Sequence, residues 1–363
     1  MRIGEIYAER SERGAEDMEL LSVTMNDGVK MRSDIEGKDN SSDDKSNYKI
    51  VRSGDMVYNS MRMWQGANGI SPWDGIVSPA YTVLKPRMPI SNGFFAALFK
   101  TQRLINEFRK NSQGMTSDTW NLKYPQIETI KTCIPALEEQ EKIAEFLTAL
   151  DQRIEKQRTL VEHLKKYKRG VSIAIFDRKL SLVKNSPSWI KTTVGEICKI
   201  IMGQSPDSES YNTDQIGIPL VQGNADMKNR ITCPQRYTNK PTKICDEGSI
   251  ILSVRAPVGS VGRADRKVCL GRGVCAINAD NNDFLYYFFE RNEPYWKRIE
   301  QGGTFTAISG DDIAEMPIEY PCLEERKIIA DFLLKIDNHI AVEENTLSQL
   351  LLLKSGLLQQ LFI

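Results

Sequence analysis

The sequence of 363 residues has few of the residues and motifs on which catalysis usually depends. It contains only two histidines, His163 and His339, and its seven cysteines include no Cys-x-x-Cys pair. Two histidines so placed cannot furnish a histidine-dependent triad or a zinc site with other ligands at useful spacing. The phosphate-binding motif Gly-x-x-x-x-Gly-Lys-Ser/Thr is absent, and residues 269–273 lack the third glycine of a dinucleotide fingerprint. We therefore expect no catalysis, cofactor or metal in this chain.

Long apolar runs and an excess of charge of one sign are also missing. No run of about 18 uncharged apolar residues occurs, which predicts no membrane-spanning helix, and we expect no secretory signal at the amino terminus. The odd number of scattered cysteines favours a reducing compartment, so we expect a cytoplasmic protein. The 48 Lys and Arg residues balance 48 Asp and Glu residues. This balance removes the simplest argument for a nucleic-acid partner but leaves local basic patches to be examined.

The chain does contain an internal repeat at a spacing of 186 residues. Pro135 and Pro321 open the two copies, and Phe176 and Phe362 match near their ends. Apolar residues in each copy recur at alternating steps of four and three, the period of a coiled coil. Each copy is therefore predicted to form one long helix. The apolar positions assigned to coiled-coil pairing and partner contact are Ile143, Phe146, Leu147, Leu150, Ile154, Ile329, Phe332, Leu333, Ile336 and Ile340.

Polar residues interrupt both copies at the same positions of the repeat. If the helices run antiparallel about a pseudo-twofold axis, Lys168 faces Glu343 and Gln157 faces Lys354. Buried polar pairs of this kind fix the register of a coiled coil. The alternative is that these side chains simply extend to solvent.

Two segments of similar size alternate with the helices and echo each other weakly. Short β-rich runs separated by Gly, Pro, Asn and Ser predict mostly-β globules, with helical pieces such as residues 93–110 and 283–300. The predicted fold is α+β, with two mostly-β domains separated by two long antiparallel coiled-coil helices. The predicted domains are residues 1–133 and 187–320, and the predicted helical regions are residues 134–186 and 321–363.

Two loops carry residue types suited to DNA. Residues 255–263 combine arginine with glycine, which lets guanidinium groups approach phosphates or base edges. Residues 58–68 place Arg, Gln and Asn beside Trp64 after a predicted strand, and in the major groove Arg suits guanine whereas Asn and Gln suit adenine. The competing interpretations are a solvated charged face for the first loop and a core position for Trp64.

This arrangement resembles the specificity subunit of Type I restriction-modification systems over essentially the whole chain. The strongest signatures are the repeated helix openings, residues 134–147 and 321–333, each followed by Asp-x-x-Ile. Supporting motifs are Arg-Met-Trp-Gln-Gly at 62–66, Ser-Pro-Ala-Tyr at 78–81, Gly-Gln-Ser-Pro at 203–206 and Ser-Val-Arg-Ala-Pro-Val-Gly at 253–259. The predicted DNA-binding residues are Asn59, Arg62, Trp64, Gln65, Asn68, Gln204, Ser205, Gln222, Asn224, Arg255, Ser260, Arg263 and Arg272.

The resemblance implies a non-catalytic subunit in which each globule is a target recognition domain for one half of a bipartite double-stranded DNA sequence. The helices would set the unread spacer and dock two methyltransferase subunits, with restriction subunits in the full complex. S-adenosylmethionine, ATP and Mg²⁺ would be used by those partners, for adenine methylation and ATP-dependent cleavage. The first globule lacks a clear Gly-Gln-Ser-Pro counterpart, so the resemblance does not locate the equivalent DNA loop there.

Two other functions stay open at this point. One is a fragment of a fused restriction-methyltransferase with its own cofactor site, although the Asn/Asp-Pro-Pro-Tyr tetrapeptide of amino-methyltransferases is absent. The other is a coiled-coil adaptor that does not contact DNA.

Overall fold

The structure is a computed structural model that describes residues 1–14, 17–25, 28–37, 41–116, 118–184, 187–302 and 307–362, with the backbone alone for 297–302. Its contacts divide the chain into two units. The first unit comprises Met1–Thr159 and Glu344–Ile363, and the second comprises Leu160–Glu343. Each unit therefore includes part of both predicted helices. The four-part division predicted from the sequence has other boundaries and stays a prediction; one of them, between residues 186 and 187, adjoins residue 186, which lies outside the described residues.

The described part of the first unit is built from short strands and short α-helices, besides the long helices. Its strands are β1 Tyr7–Glu9, β2 Leu21–Thr24, β3 Gly28–Met31, β4 Lys49–Val51, β5 Met56–Asn59, β6 Asn68–Ile70, β7 Gly75–Val77 and β8 Tyr81–Pro86. Its short helices are α1 Ile3–Ile6, α2 Asn92–Leu98, α3 Gln102–Asn111 and α4 Tyr124–Ile127. Four strands form a sheet in the order β1-β8-β5-β6, and β2-β3 and β4-β7 form two-stranded sheets.

Alternating side chains of this four-stranded sheet enter two apolar cores. Met56 and Tyr58 pack with the aromatic residues of α2 and α3, whereas Val57 packs with the valines of β4 and β7. This period of two places successive residues of a strand on opposite faces. Residues 93–110, which were predicted as one helical piece, form two helices, α2 and α3. The Thr101 hydroxyl accepts from the backbone N–H of Leu104 and starts α3 as its N-cap.

The second unit contains two larger sheets. Its strands are β9 Ile190–Thr193, β10 Lys199–Met202, β11 Tyr211–Asn212, β12 Ile218–Val221, β13 Met227–Lys228, β14 Ile231–Thr232, β15 Arg236–Thr238, β16 Ile244–Cys245, β17 Ile250–Ser253, β18 Val261–Arg263, β19 Val268–Leu270, β20 Val274–Asn278 and β21 Pro317–Tyr320. Its short helices are α6 Val194–Ile197 and α8 Gly310–Ala314, and a longer helix, α7, spans Asn282–Gly302.

These strands form a six-stranded sheet in the order β10-β20-β17-β18-β14-β13, a five-stranded sheet in the order β11-β15-β12-β19-β16, and the pair β21-β9. Ile251 and Ala276 of the larger sheet pack with Val268 and Leu270 of the smaller one. The opposite face of the larger sheet packs against α7 and the long helices. The predicted α+β class with mostly-β globules is confirmed.

Each repeat copy forms one long helix, α5 at Leu137–Phe176 and α9 at Leu323–Leu361. At 1.5 Å per residue, each is about 60 Å long. The predicted apolar seam is buried or half-buried at nine of its ten assigned positions. Phe146 is the exception, because 51% of it is exposed. Its repeat partner, Phe332, packs against the core of the second unit.

The same helix junction occurs in both units. In the first unit, Leu147 of α5 and Phe362 of α9 enter one core, where the Phe362 and Phe94 rings lie 5.1 Å apart. In the second unit, Leu333 of α9 shares a core with Phe176 of α5, whose ring lies 5.4 Å from that of Phe284. Phe94 and Phe284 occupy the third position of α2 and α7. The carboxyl end of one long helix thus packs beside the amino-terminal part of the other in each unit.

The polar residues at the junctions pair differently from the prediction. Lys168 contacts Asp337 at 2.7 Å, and Lys354 contacts Asp151 at 2.5 Å, so the expected pairs with Glu343 and Gln157 are wrong. Each observed carboxylate lies six residues from the expected partner. Because Asp151 and Asp337 are related by the 186-residue repeat, as are the two lysines, the two ion pairs are equivalent. The helix segments in each unit run antiparallel, as predicted.

Within the described residues, no helix combines the length and the apolar character required to cross a membrane.

Candidate nucleic-acid interface

A tight turn at residues 59–65 of the first unit carries four of the predicted DNA-binding residues, Asn59, Arg62, Trp64 and Gln65. The Asn59 side chain accepts from the Met61 backbone N–H at 3.0 Å. Met63 is fully buried and anchors a helical turn at Met63–Gln65, which ends at Gly66 with φ +85°. That left-handed conformation favours glycine. The buried methionine and the glycine therefore hold the polar side chains between them at fixed positions.

These side chains line an open cleft of about 920 Å³, which we call the first-unit cleft. Its lining includes Asn59, Arg62, Trp64 and Gln65, together with Tyr81 of the Ser-Pro-Ala-Tyr motif. The Arg62 guanidinium donates to the Gln65 side-chain oxygen at 3.4 Å. The structure therefore brings four of the five residues predicted in this segment to one surface.

Trp64 is half-buried, which is intermediate between a core position and a fully exposed DNA contact. Its indole N–H donates to the Met61 carbonyl at 3.1 Å, and its ring meets that of Trp120 edge-to-face at 5.2 Å. The Arg109 guanidinium lies 5.4 Å from the Trp120 ring. Trp64 is thus held rigidly while part of its surface still faces the cleft.

Asn68 is a correction. It is fully buried, and its amide N–H groups donate to the carbonyls of Gly66 at 3.2 Å and Phe99 at 3.3 Å. A side chain engaged in this way holds the turn against α2 and cannot reach DNA. The sequence showed a polar residue in a polar loop, whereas in the structure Asn68 is the first residue of β6.

Three loops of the second unit meet at one surface, which we call the second-unit loop cluster. It comprises residues 203–205, 222–224 and 271–272, together with Arg255. The loops approach so closely that a Cβ on Gly203 would lie 2.1 Å from the Gly271 carbonyl oxygen, and one on Gly273 would lie 2.1 Å from the Gln222 carbonyl oxygen. Glycine is therefore required at both positions. The predicted residues brought together here are Gln204, Ser205, Gln222, Asn224, Arg255 and Arg272.

Hydrogen bonds donated by backbone N–H groups join these loops. The Gln204 N–H donates to the Leu270 carbonyl at 2.9 Å, and the Arg272 N–H donates to the Ser205 hydroxyl at 3.2 Å. The Val254 N–H donates to the Gly273 carbonyl at 2.9 Å, so Arg255 and Arg272 adjoin one rung of the β17–β20 ladder. Gln204, Arg255 and Arg272 are exposed. The predicted Gly-Gln-Ser-Pro motif and the arginine-rich loop therefore share one surface.

The five cations of residues 254–272 have different surroundings. Arg263 contacts Asp283, Arg266 contacts Asp265 at 2.8 Å, and Lys267 lies 4.0 Å from Asp246. Among the described residues, Arg255 and Arg272 have no acidic partner. These two arginines therefore have no ion pair to break before they contact phosphates or bases.

Arg263 and Ser260 do not belong to this cluster. The Arg263 guanidinium contacts Asp283 and lies 4.1 Å from the Tyr286 ring, which holds it against α7. Ser260 lies on the turn between β17 and β18, where its N–H donates to the Ser253 hydroxyl at 2.8 Å. Arg263 therefore lies outside the loop cluster, where α7 already supplies its anionic and aromatic neighbours, and its role as a DNA contact stays a prediction.

Sequence reasoning missed several residues on these surfaces. Arg32 and Tyr48 line the first-unit cleft although they lie on other segments of the chain. Arg236 and Tyr211 contact Gln222 in the second unit. No local motif marks these four residues, since only the folding of the chain brings them close to the predicted ones.

The described residues contain no group of three or more His, Cys, Asp or Glu side chains arranged to hold a metal ion. The chemistry available on the two surfaces is hydrogen bonding, stacking and cationic contact with phosphates, which are the interactions that proteins use to bind DNA.

The sequence matches the profile of the Type I restriction modification DNA specificity domain over residues 26–165 and 188–352. Among curated proteins, it is 34% identical over 270 residues to a protein of Methanocaldococcus jannaschii provisionally named the type I restriction enzyme MjaX specificity subunit; the match covers 69% of this chain and 62% of that protein. It is 24% identical over 326 residues to the MjaVIII specificity subunit of the same organism, covering 79% and 74% of the two chains. The chain thus spans less than two thirds of the MjaX subunit's length.

Solved structures share the fold. A chain from a structure described as the structural basis of complex assembly and conformational transition of the type I R-M system matches with a TM-score of 0.68 and 24% identity, covering 100% of this chain and 96% of that chain. The HsdS subunit from Thermoanaerobacter tengcongensis matches with a TM-score of 0.54 and 25% identity, covering 100% and 95%. The S subunit from M. genitalium matches with a TM-score of 0.62 and 16% identity, with the same coverage.

These matches give no support to the catalytic fragment or to the adaptor that does not contact DNA. The profile match extends over both β-rich segments and most of both long helices, so the resemblance inferred from the sequence is confirmed. The chain belongs to the family of Type I restriction modification DNA specificity domains.

Proposed function

We propose that this chain is the DNA-specificity subunit of a Type I restriction-modification complex, in which each unit reads one half of a bipartite double-stranded target. The observation that carries the proposal is that one helix junction is built twice, beside two unlike polar surfaces. Arg62 and Gln65 in the first unit, and Gln204, Arg255 and Arg272 in the second, are residue types that read base edges or contact phosphates. Two equivalent helix junctions that lie beside two different DNA-facing surfaces are suited to a target whose two half-sites differ in sequence.

The long helices would set the length of the unread spacer, since each contributes to both units. Their duplication also provides two equivalent surfaces, as two identical methyltransferase subunits require. Phe146 is an exposed aromatic residue on such a helix, and aromatic side chains are enriched in the cores of protein interfaces. Restriction subunits would join this assembly in the full complex.

In this proposal the chain supplies recognition and no catalysis. S-adenosylmethionine, ATP and Mg²⁺ would be held by the partner subunits, which would methylate adenine and cleave DNA in an ATP-dependent reaction. The complex would work in the cytoplasm, where its DNA substrate is found. The near-equality of positive and negative charge agrees with a subunit whose partners provide part of the phosphate contacts.

Methylome sequencing tests the proposal. Cells that express the chain with its cognate methyltransferase subunit should carry methylated adenines in one sequence with two defined halves and a gap of fixed length. Cells that express the methyltransferase subunit alone provide the control. Methylation that does not depend on the chain, or that follows one continuous sequence, would contradict the proposal.

A further inference from the structure

The Gln222 side chain in the second-unit loop cluster lies between two residues that approach it from a neighbouring part of the five-stranded sheet. Its amide nitrogen donates to the Tyr211 hydroxyl at 3.2 Å, and its amide oxygen accepts from the Arg236 guanidinium at 3.2 Å. Tyr211 belongs to β11 and Arg236 to β15, which pair with each other, and β15 also pairs with β12, the strand that ends just before Gln222.

The chemistry of the two neighbours fixes which way the amide points. Arginine has only donors, so the atom facing Arg236 must be the amide oxygen. The Tyr211 hydroxyl donates its proton to the Pro206 carbonyl at 3.1 Å, which leaves it as an acceptor for the amide nitrogen. A flipped amide would place a donor against Arg236 and an acceptor against an oxygen whose proton is already used. Tyr211 and Arg236 thus hold one orientation of the Gln222 amide.

The backbone at Gln222 is fixed as well. Its N–H donates to the Asp226 carboxylate at 2.6 Å, and Asp226 belongs to the helical turn that follows at Asn224–Asp226. Gly271 and Gly273 approach Gln222 so closely that a Cβ on either would meet its backbone. The side chain therefore extends from a rigid base, as a residue that reads a single position must.

A glutamine amide has two N–H donors and two lone pairs on its oxygen. After the contacts with Tyr211 and Arg236, one donor and one lone pair stay available. Adenine presents an acceptor at N7 and a donor at N6 in the major groove, which matches this set, whereas guanine presents acceptors at both N7 and O6. The held oxygen of Gln222 would repel guanine O6, and the amide cannot rotate to relieve the clash without losing both neighbours.

We propose that Gln222 reads an adenine in the half-site recognised by the second unit, and that Tyr211 and Arg236 are positioning residues that make this reading selective against guanine. The inference rests on the proposed function, because it assigns a base to one of the two surfaces described there. Arg236 is exposed, so it also adds a positive charge at the edge of the loop cluster.

Sequencing of a selected DNA library tests the proposal. The full chain, assembled with its methyltransferase subunit, would be used to select from duplexes that carry a randomised second half-site. Wild-type protein should select adenine at one position or more. Gln222→Ala should lower the preference for adenine over guanine at one such position by roughly 5- to 150-fold, and leave the other positions unchanged.

The positioning residues have a distinct expected effect. Tyr211→Phe keeps the ring and removes only the hydroxyl, so it should reduce adenine selectivity at the same position as Gln222→Ala and at no other. Arg236→Lys retains a donor toward the amide oxygen and should keep more selectivity than Arg236→Ala. Tyr237→Phe, which removes a hydroxyl from the next residue of β15, is the matched control and should select as wild type does.

The outcomes separate the two proposals. If the wild-type assembly selects no sequence at all, the proposed function fails and this inference fails with it. If the wild-type assembly selects a defined site but Gln222→Ala leaves every position unchanged, or relaxes a position that is not adenine, only the assignment of Gln222 is overturned. Should Gln222→Ala not fold, Tyr211→Phe decides in its place: wild-type selectivity at every adenine would overturn the proposal.

Discussion

The two equivalent ion pairs at the helix junctions should differ greatly in their contribution to stability. Lys168 contacts Asp337 at 2.7 Å and Glu290 at 2.7 Å, and only 11% of its side chain is exposed. Among the described residues, its counterpart Lys354 forms an ion pair only with Asp151, at 2.5 Å, with 33% and 51% of the two side chains exposed. Replacing each lysine by methionine removes the charge at repeat-equivalent positions and retains an unbranched apolar side chain.

The expected loss of stability in each variant depends on which partners remain for the carboxylates after the lysine is replaced. Removing one partner of a buried pair typically costs about 3–5 kcal/mol. After Lys168→Met, Glu290 still has Arg230 at 3.3 Å, and Asp337 still accepts from the Tyr287 hydroxyl at 2.9 Å. Burial first, and the Asp337 carboxylate second, raise the pKa of Tyr287, so this hydroxyl stays protonated. We therefore expect about 3 kcal/mol for Lys168→Met, at the lower end, and about 0–1 kcal/mol for Lys354→Met.

Native-state hydrogen exchange measures both variants in one protein, which is preferable because a chain of two units need not unfold in one step. Lys168→Met should lower amide protection in α7 and in the first half of α9 by roughly 100-fold. Lys354→Met should lower protection in the last turns of α9 by no more than about fivefold. Equal losses in the two variants, or full protection of α7 in Lys168→Met, would refute the reasoning.

Three further predictions concern the surfaces, the helices and the thiols. Arg62→Ala and Arg255→Ala should each relax or abolish one half-site, at about 1–3 kcal/mol for a base-reading arginine, and leave partner assembly intact; methylomes with both half-sites unchanged would remove these assignments. Seven residues added to both long helices at equivalent positions extend each helix by about 10 Å. The unread DNA spacer found by methylome sequencing should then lengthen by about three base pairs, while the two half-sites stay the same. A spacer of unchanged length would show that the helices do not set it. Burial raises the pKa of Cys198 to about 12, of Cys245 to about 11 and of Cys275 to about 12. Iodoacetamide at pH 8 should therefore label the exposed thiols of Cys133, Cys233 and Cys322 first, which peptide mass spectrometry would verify. Rapid labelling of Cys275 would contradict this prediction.

The helices could be predicted in detail because their signal is periodic and repeated. The step of four and three located the seam, and the repeat matched the two copies residue by residue. The register of pairing could not be obtained in the same way, since matching Lys168 to any facing carboxylate satisfies the periodicity. Asp337 rather than Glu343 is selected by the core of the second unit, where Tyr287 and Glu290 of α7 surround the lysine. That choice depends on a globule whose position relative to the seam the sequence does not reveal.

The candidate surfaces were predictable where a motif is continuous in the sequence. Residues 62–66 and 203–206 fall on exposed loops because glycine, buried methionine and strand ends control local geometry. The prediction for Asn68 was wrong, and the position of Arg263 outside the cluster was not foreseen, because their partners lie far along the chain, at Phe99 and Asp283. Arg236 and Tyr211 were missed for the same reason, since nothing in residues 204–224 indicates which strand lies beside Gln222.

If two identical methyltransferase subunits dock on this chain, as we propose, the repeat limits where they can bind. Lys165, Lys166 and Tyr167 are exposed on α5, and the equivalent residues of α9 are Leu351, Leu352 and Leu353, which are 43%, 70% and 52% exposed. A basic surface and an apolar surface cannot both fit the same face of one methyltransferase. Positions that are alike in the two copies, such as Glu138 and Glu324 in the first turns of the two helices, can contact the same face of each methyltransferase subunit. Docking of two equal subunits should therefore depend on the amino-terminal parts of the helices, where the copies agree, and tolerate substitution at residues 165–167 and 351–353.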